Sequence, residues 1–372
     1  MIKAHGPLTS SQPRLIAFTT QGSGGNEEAR ICELLQHHEF LLFPFDRRAK
    51  IQSCWKLLHL IRKRRPALVV LEGTGLAGGL ALLLGRWLAG VRYVVSSGDA
   101  VGPWVASRYP LLRPLFGLYE RTLCFCSAGF IGWTPYLAGR ALTFGAPRAV
   151  TAAGWASYTL SIDKRTVARR EIRQRLGIPD HALVVGIAGS LVWTPRVKYC
   201  YGAELVHAAL HARRPELRVL IVGDGTGLDH LKRLAGNLDG RTVFFTGRVP
   251  QSEVPAYLAA MDVGSLPQSL DGVGNFRYTT KISEYLAAGL PVITGQVPFA
   301  YDLDGGWLWR LPGQAPWSPR YLRSLVDLLD GLTPDQLKKK QDALAFPPNE
   351  FVRDVQISRV TAFIDDILDS PK

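Results

Sequence analysis

The chain has 372 residues, 47% of them apolar and 20% charged, with a formal net charge of +13. This length and composition suit a soluble globular protein of about two domains. The five cysteines form no CxxC pair and are odd in number, which indicates a reducing compartment and argues against a zinc site.

No targeting or membrane-spanning segment is expected. Residues 1–13 are polar, and the apolar run that begins at Leu15 is too short for a signal peptide. The most hydrophobic predicted helix, Leu76–Val91, contains Arg86 and breaks at Gly90, whereas a spanning helix needs roughly 20 apolar residues. We therefore predict a cytoplasmic protein.

The positive charge is concentrated in the first half. Residues 1–160 contain 18 Lys and Arg against 8 Asp and Glu, and the remainder contains 26 against 23. In Trp104–Phe130 the cations are interleaved with aromatic and aliphatic residues, which favours peripheral contact with an anionic membrane. A helix packed inside the domain is the alternative. Nucleic acid is not an expected partner, because no RRM, KH, zinc or helix-turn-helix signature is found.

Short apolar runs alternate with helical patterns from Arg14 to about residue 155. This alternation predicts βαβ units and a parallel sheet. The predicted strands are LIAFTT, FLLFPF, ALVVLEG, RYVVSSGD, FIGWTP and AVTAAGW, and the predicted helices are Glu27–His38, Ser53–Arg65 and Leu76–Ala89.

A second series follows a charged helical stretch, Asp163–Leu176. Its predicted strands are LVVGIAGS, LRVLIVGDG, TVFFTG, DVGSLP and PVITG, again separated by helices. We therefore predict an α/β protein with two doubly wound domains, residues 1–160 and 161–345, joined near 155–180. The terminal segment 346–372 contains an amphipathic helix, Glu350–Leu368, which we expect to cross back onto the first domain.

Glycine-rich and basic loops follow several predicted strands. GSGG, at Gly22–Gly25, follows the first strand, and glycine lets the backbone approach a phosphate or sugar closely. Glu27 stands where GxGxxG would require its third glycine, which disfavours a dehydrogenase-type dinucleotide site. In the second half, Arg196 and Lys198, GDGTG at Gly223–Gly227 and GRVP at Gly247–Pro250 all follow strands. A plain turn or a solvated cation explains any one of them, but their recurrence at one sheet edge favours a diphosphate site.

The stretch Asp262–Gly295 contains the sharpest pair of candidate residues. An apolar strand leads into a long polar loop, and a helix then opens near Thr280 and ends at Gly289. Lys281 and Glu284 lie one turn apart in that helix, at the carboxyl end of a strand, where open α/β sheets bind ligands. A surface salt bridge is the alternative. A glutamate in this position can bind ribose hydroxyls while the lysine reaches phosphate oxygens.

The segments GSLVWTPR, VLIVGDGTGLDHLKRLA, VFFTGRVPQSEVPAYLAAMDVGSLP and KISEYLAAGLPVITG resemble the donor half of GT-B glycosyltransferases, notably the retaining family-4-like group (glycosyl transferases group 1). The resemblance covers about residues 183–330, and the first half fits through its glycine loop and sheet pattern. It implies two Rossmann-like domains facing a cleft. It also implies metal-independent transfer of a sugar from a nucleotide-diphosphate sugar (UDP- or GDP-linked) to a lipid-linked or polysaccharide acceptor, with no cofactor.

The resemblance also assigns roles to residues. Glu284 would bind the ribose, and Lys281 with Arg196 or Lys198 would bind the diphosphate. The backbone of Arg248 and Val249 would meet the base. The other candidate donor contacts are Gly24, Gly25, Gly223 and Asn275.

One departure from the family pattern leaves the stereochemistry open. The family has two glutamates separated by seven residues, and Phe276 occupies the first position here, with Asp271 and Asn275 nearby but out of register. Inverting relatives with a Lys-x-x-Glu helix take their base from the first domain. Asp99, at the end of RYVVSSGD, is our candidate for that base, and a helix N-cap is the alternative role for it.

Alternative interpretations concern one sequence motif and the function of the chain. The DxD at Asp302–Asp304 is interpreted as a turn, so that no metal site is implied. A nucleotide-sugar epimerase of the same fold, or a non-catalytic basic module that binds anionic lipid or nucleic acid, are the alternative functions.

Overall fold

The computed structural model describes residues 3–5, 14–156, 159–344 and 349–371. The predicted boundary at residue 346, and most of the polar start of the chain, lie outside these ranges. The chain divides into two compact units. The first unit comprises Met1–Gly154, Phe276–Tyr278 and Asn349–Lys372, and the second comprises Trp155–Asn275 and Thr279–Pro348.

The first unit is built on one mixed sheet. Its strands are β1 (Lys3–His5), β2 (Leu15–Thr19), β3 (Phe40–Leu42), β4 (Leu68–Glu72), β5 (Tyr93–Ser97), β6 (Gly129–Gly132) and β7 (Ala149–Thr151). Their order is β1-β3-β2-β4-β5-β6-β7, with β1 antiparallel to β3 and the other neighbours parallel. Every residue of β2, β4 and β5 is buried, as expected for parallel strands covered on both faces.

Six helices connect these strands. They are α1 (Asn26–Leu34), α2 (Lys50–Arg64), α3 (Leu76–Ala89), α4 (Val101–Arg108), α5 (Arg113–Phe125) and α6 (Pro135–Thr143). The predicted bounds of α3 are confirmed, and Gly90 ends it with φ +64°. The FLLFPF prediction was too long: the strand ends at Leu42, and Pro44, which has no N–H for a sheet hydrogen bond, lies beyond it. No prediction covered α6, although Thr134 accepts a hydrogen bond from Leu137 N–H at its start.

The second unit has a fully parallel sheet. Its strands are β8 (Leu183–Ala188), β9 (Leu217–Val222), β10 (Val243–Phe245), β11 (Val263–Leu266), β12 (Val292–Gly295) and β13 (Leu308–Leu311). Their order is β10-β9-β8-β11-β12-β13, so the winding reverses between β8 and β11. The predicted doubly wound architecture is confirmed for both units, and ligands of such sheets bind at the carboxyl ends beside this reversal.

Eight helices flank the second sheet. They are α7 (Ile162–Leu176), α8 (Ala203–His211), α9 (Leu228–Ala235), α10 (Val254–Ala259), α11 (Thr280–Ala287), α12 (Phe299–Asp302), α13 (Pro319–Gly331) and α14 (Pro334–Asp342). A buried ion pair ties α7 to the start of β11: Arg173 donates to Asp262 Oδ2 at 2.8 Å, and Val184 N–H donates to the same oxygen at 2.7 Å. Removing Asp262 would leave the buried Arg173 guanidinium without its carboxylate partner, whereas Asp262 also accepts a hydrogen bond from Arg169 at 2.6 Å.

The last helix, α15 (Arg353–Asp369), belongs to the first unit. Its Gln356 side chain accepts a hydrogen bond from Ala153 N–H at 3.2 Å. Near its end, Arg92 donates to the carbonyls of Ile367 and Ser370 at 2.7 and 2.9 Å. None of the helices in the described ranges is long and apolar enough to cross a bilayer.

Candidate active site

A floor of bare backbone lies at the carboxyl ends of β8, β9 and β10. Gly189 N–H donates to Val222 O at 2.9 Å, and Gly223 N–H donates to Gly247 O at 3.0 Å. All three glycines have positive φ, and a methyl group added at Gly223 would lie 1.9 Å from Gly189 O. Only glycine fits at position 223, so the main chain is not covered by a side chain and is accessible to a ligand. We call Gly189, Gly223 and Gly247 the glycine floor.

Lys281 lies over the edge of this floor. Its Nζ would be 2.9 Å from a methyl group added at Gly189, and it is 4.5 Å from the centre of the Tyr201 ring. Lys281 lies in the first turn of α11, whose N-cap, Thr279, makes no side-chain capping bond. The structure therefore brings the Lys281 ammonium to Gly189, which adjoins the predicted Gly223. A cation in the first turn of a helix favours anions.

Glu284 faces a small cavity of about 20 Å³ beside the loop that follows β10. The lining includes Gln251, two residues after Val249, together with Val254 and Arg165. Burial raises the pKa of Glu284, and the nearby Lys281 ammonium opposes the rise. The structure thus brings Glu284 close to the end of the GRVP turn, within which Arg248 is exposed and Val249 half-buried.

Arg196 and Lys198 lie at the exposed tip of a hairpin that pairs Thr194 with Tyr199. The base of this loop is fixed to the next loop, because Trp193 N–H donates to Thr226 Oγ1 at 3.0 Å. Lys198 has φ +50°, an unusual value for a residue with a side chain. The hairpin follows β8 and Gly189 in the chain. Its two cations, Arg196 and Lys198, lie at its tip rather than at the glycine floor.

Asn275 ends the part of the polar loop that belongs to the second unit. Its Oδ1 is buried and has no hydrogen-bond partner among the described residues. Asp271, the other polar residue near the missing glutamate, is occupied as a turn acceptor: its Oδ1 receives the N–H groups of Val273 and Gly274, both at 2.8 Å. Buried polar atoms are normally paired, so Asn275 Oδ1, like Gln268 Oε1 and Thr279 Oγ1 of the same loop, can accept a ligand hydroxyl.

Phe276, at the position of the missing glutamate, packs against the hydrophobic core of the first unit. Its carbonyl accepts a hydrogen bond from Thr134 Oγ1 at 2.8 Å, and the Arg140 guanidinium lies 5.2 Å from its ring centre. This position therefore anchors the loop, which accounts physically for its apolar side chain.

In the first unit, Gly24 and Gly25 lie between β2 and α1, in the predicted position. Gly24 has φ +81°, and its N–H donates to Glu28 Oε1 at 3.0 Å. Gly25 has φ −94°, and a methyl group added at either glycine would meet no atom within 4 Å. The outer face of this loop is open to a ligand.

Glu27 was not among the predicted site residues. Its Oε2 accepts a hydrogen bond from Thr19 Oγ1 at 2.8 Å. Its pKa is raised to about 7, chiefly by burial and further by the charges of Glu72 and Asp99, while the Thr19 hydrogen bond and Arg47 oppose the rise. A carboxyl group with such a pKa can exchange a proton near neutral pH. The only sequence signal was its position directly after the glycine loop.

Asp99 pairs with Arg277, a residue of the Phe276–Tyr278 segment of the same unit. Arg277 Nε lies 2.7 Å from Asp99 Oδ1. The alternative role as a helix N-cap is wrong, because α4 begins at Val101 and its N-cap is Ala100. The side chain is 43% exposed and so accessible to an acceptor hydroxyl.

Of the DxD at Asp302–Asp304, Asp302 is the last residue of α12, and only Leu303 and Asp304 lie in the turn that was predicted for the motif. Asp304 accepts hydrogen bonds from Gly306 N–H and from Arg310, both at 2.8 Å. The Trp104–Phe130 segment has a buried side, as the alternative of a helix packed inside the domain predicts, and an exposed apolar side. Tyr119, Leu123 and Cys124 are buried, whereas one set of apolar side chains is exposed: Tyr109, Leu111, Leu112, Leu115, Leu118 and Phe125.

Two known protein families match this chain. The family described as "Glycosyl transferases group 1" matches residues 182–309, and the "Glycosyl transferase 4-like domain" matches residues 15–153. Together the two matches span more than two thirds of the chain and include the glycine floor, Lys281, Glu284 and Asp99. The protein belongs to the GT-B glycosyltransferases of the family-4-like group.

Solved structures agree with the GT-B fold of this glycosyltransferase. HepE of Anabaena, solved with UDP and glucose, has a TM-score of 0.67 at 17% identity over 95% of this chain and 99% of its own. A glycosyltransferase of Rickettsia africae has a TM-score of 0.65 at 13% identity over 96% and 99%.

A curated relative has a closer sequence over a shorter segment. It is the GDP-mannose-dependent alpha-(1-6)-phosphatidylinositol monomannoside mannosyltransferase of Mycolicibacterium smegmatis, 33% identical over 146 residues. The match covers 37% of this chain and only 36% of that protein. These comparisons do not favour an epimerase or a non-catalytic binding module.

Proposed function

We propose that this protein transfers a sugar from a nucleotide-diphosphate sugar to a lipid-linked or glycan acceptor, without a metal ion. The observation that carries the proposal is the position of Lys281 over the glycine floor, at the reversal of the second sheet. Lys281, the floor and the N-terminus of α11 would together stabilise the charge that develops on the leaving diphosphate.

The other donor contacts are assigned to the remaining predicted site residues. Glu284 would accept hydrogen bonds from the ribose, and the Arg248–Val249 backbone would meet the base. Asn275 Oδ1 would accept a hydroxyl of the sugar. Arg196 or Lys198 would reach the diphosphate from the hairpin, while Gly24 and Gly25 would let it or the sugar approach the first unit's backbone.

Asp99 is the proposed base. Arg277 occupies Oδ1, which leaves Oδ2 without a protein donor among the described residues. In the reaction, the acceptor hydroxyl would give its proton to Asp99 while its oxygen bonds to the anomeric carbon of the donor. The bond from that carbon to the diphosphate oxygen would break, and the diphosphate would leave with the electron pair.

The donor is a UDP- or GDP-linked sugar in this proposal. HepE was solved with UDP, and the mannosyltransferase relative is named for GDP-mannose, which supports either base. Thermal-shift measurements against UDP-, GDP-, ADP- and TDP-sugars test it, because a ligand that binds the folded state raises the melting temperature. A flat response to all four groups would refute the proposed donor site.

A cytoplasmic location with peripheral contact to an anionic membrane is the second part of the proposal. The exposed apolar residues of α5 and of the turn that precedes it are accompanied by Arg108, Arg113 and Arg121, all exposed. Such a surface suits the interface of an anionic bilayer. Sedimentation with phosphatidylglycerol vesicles should be lost in L111D/L115D and kept in the matched variant V192D, whose residue is 59% exposed in the second unit. Equal binding by both variants would contradict this contact.

A further inference from the structure

An open apolar cavity of about 540 Å³ lies between α2 and α3 in the first unit. The α3 helix begins close to β2, because a methyl group added at Gly75 would lie 2.4 Å from Thr20 Oγ1. Cys54 of α2 donates to Ala77 O of α3 at 3.0 Å and ties the two helices beneath the cavity. We call this space the α2–α3 cavity, and its size falls within the roughly 300–1,000 Å³ of pockets that hold small molecules.

The walls of the α2–α3 cavity are mostly hydrocarbon, and several are open to solvent. Trp55 is 68% exposed and Leu80 is 45% exposed, although both are large apolar side chains. Exposed apolar surface of this extent marks a binding site more often than ordinary surface. The main apolar lining residues are Phe45, Trp55, Leu58, Leu76, Leu80 and Leu84.

One part of the lining is cationic and adjoins the glycine loop. Arg47 and Lys50 line the cavity together with Thr20 and Gln21, which directly follow β2. A methyl group added at Gly22 would lie 3.9 Å from Arg47 Cβ. Lys50 opens α2, where a positive charge opposes the helix dipole, so this cation does not serve the stability of its own helix.

Two carboxylates lie near these cations. Asp46 is exposed, and its Oδ1 accepts a hydrogen bond from Arg48 N–H at 2.8 Å. Glu27 is close enough for its charge to be felt by Arg47. The cavity therefore combines an apolar body with a polar end formed by Arg47, Lys50, Thr20 and Gln21, which is the pattern expected for the binding of an amphiphile.

We propose that the α2–α3 cavity holds the hydrocarbon chain of an anionic, phosphate-bearing lipid, and that this lipid is the acceptor of the transfer. The phosphate would lie at Arg47 and Lys50, and the hydroxyl-bearing head would extend to the glycine loop. This inference rests on the proposed function, because it identifies the acceptor class of the same enzyme.

Calorimetric titration of the full chain with dodecyl phosphate, below its micelle concentration, tests the proposal. Inorganic phosphate serves as the head without the chain, and dodecyl maltoside as the chain without the phosphate. Dodecyl phosphate should bind at least tenfold more tightly than either. Equal affinity for dodecyl phosphate and dodecyl maltoside would overturn the assignment of an anionic lipid.

Matched variants identify the site of binding. W55A and L80Q lie in the cavity, whereas W87A and L88Q change the same residue types at exposed positions of α3 outside it. K50Q tests the cationic part against K56Q of the same helix. The three cavity variants should each weaken dodecyl phosphate binding at least tenfold, and the three controls less than threefold. Equal weakening by both sets would refute the cavity as the site.

Two further measurements distinguish failure of the cavity proposal from failure of the transferase proposal. The melting-temperature shift produced by donor nucleotides should be the same in all six variants. If lipid binding fails while the nucleotide shift persists, the cavity proposal falls and the transferase proposal stands. If the native chain is a dimer on gel filtration and W55A makes it a monomer, the cavity is instead an interface between two copies and the proposal is overturned.

Discussion

Arg277 donates to the Asp99 carboxylate, with its Nε 2.7 Å from Oδ1, although the two residues are 178 positions apart in the chain. Both belong to the first unit. The guanidinium fixes the orientation of the carboxylate and leaves its second oxygen available. The pair is partly exposed, so its contribution to the free energy of unfolding is about 0–1 kcal/mol, and its role in catalysis can be tested separately from stability.

We expect Asp99→Asn to lower kcat by a factor of about 100 to 10,000, the usual contribution of a general base, with a small change in melting temperature. Nucleotide binding should be unchanged. Release of nucleotide diphosphate measures the turnover, and Asp369→Asn, which changes an exposed acid of α15 in the same unit, serves as the control. A full rate in Asp99→Asn would remove this residue from the mechanism.

Glu27 should make the stability of the protein depend on pH. Its folded-state pKa of about 7 lies above the ordinary 4.5, so the folded chain binds the proton more tightly than the unfolded chain. Its stabilising contribution is therefore full below about pH 4.5 and is lost as the pH rises through about 7. Glu27→Gln keeps the neutral form at every pH.

We accordingly expect Glu27→Gln to raise the free energy of unfolding by up to about 3 kcal/mol at pH 8, and to have little effect at pH 4.5. Chemical denaturation at the two pH values measures the difference. A gain of equal size at both would show that burial of the charge is not the cause.

Lys281 and Glu284 should govern donor binding rather than folding. Hydrogen bonds to charged groups contribute about 1.5–3 kcal/mol, so Lys281→Ala should weaken nucleotide-diphosphate binding by roughly ten- to a hundredfold. Glu284→Gln should weaken binding of the nucleoside diphosphate, and less so of inorganic pyrophosphate, which has no ribose. The control is Lys338→Ala, which removes an exposed i, i+4 pair with Asp342 in the same unit. Wild-type affinity in both site variants would disprove their assigned roles.

Because burial raises the pKa of Glu284, its hydrogen-bonding carboxylate should be lost at a higher pH than an ordinary glutamate. Donor affinity should therefore fall as the solution is acidified, and the fall should be absent in Glu284→Gln. Titration calorimetry across the acidic range measures this. The same acid dependence in the variant would assign it to another group.

Two glycine substitutions distinguish a glycine that the fold requires from a glycine that ligand contact requires. Gly223→Ala should destabilise the second unit by about 1–3 kcal/mol or more, because its φ is +135° and the new methyl group would overlap Gly189 O. Gly25→Ala should change the melting temperature little, since its φ of −94° suits any residue and the space is open. Turnover should nevertheless fall in Gly25→Ala. Unchanged turnover would mean that no ligand approaches this loop.

Local signals predicted much of the fold. The helix α11 begins at Thr280, and Gly289 with φ +69° lies just after it, as the glycine and the following Pro291 indicated. The fully buried strands were recognisable as continuous apolar runs. The start of α6 was overlooked, although Thr134 followed by Pro135 is an ordinary helix N-terminus.

The parts of the site that escaped prediction depend on contacts between distant residues. The raised pKa of Glu27 is due to burial and to the charges of Glu72, at the end of β4, and Asp99, which follows β5. The packing of Phe276 against the first unit likewise could not be predicted from the motif, which shows only that the expected glutamate is absent. Sequence patterns predicted Lys281, Glu284 and Asp99 as site residues, whereas Glu27 and the cations Arg47 and Lys50 became candidates only once the loops of the first unit were assembled.

The course of the chain through the two units determines when each can fold during synthesis. The first unit includes Phe276–Tyr278 and Asn349–Lys372, so it cannot be complete until the last helix has left the ribosome. The second unit ends at Pro348 and has all its strands earlier. The usual order in which the N-terminal domain finishes first is therefore reversed. A nascent chain paused after Gly154 would expose the surfaces of β7 and α1 that α15 covers in the finished protein.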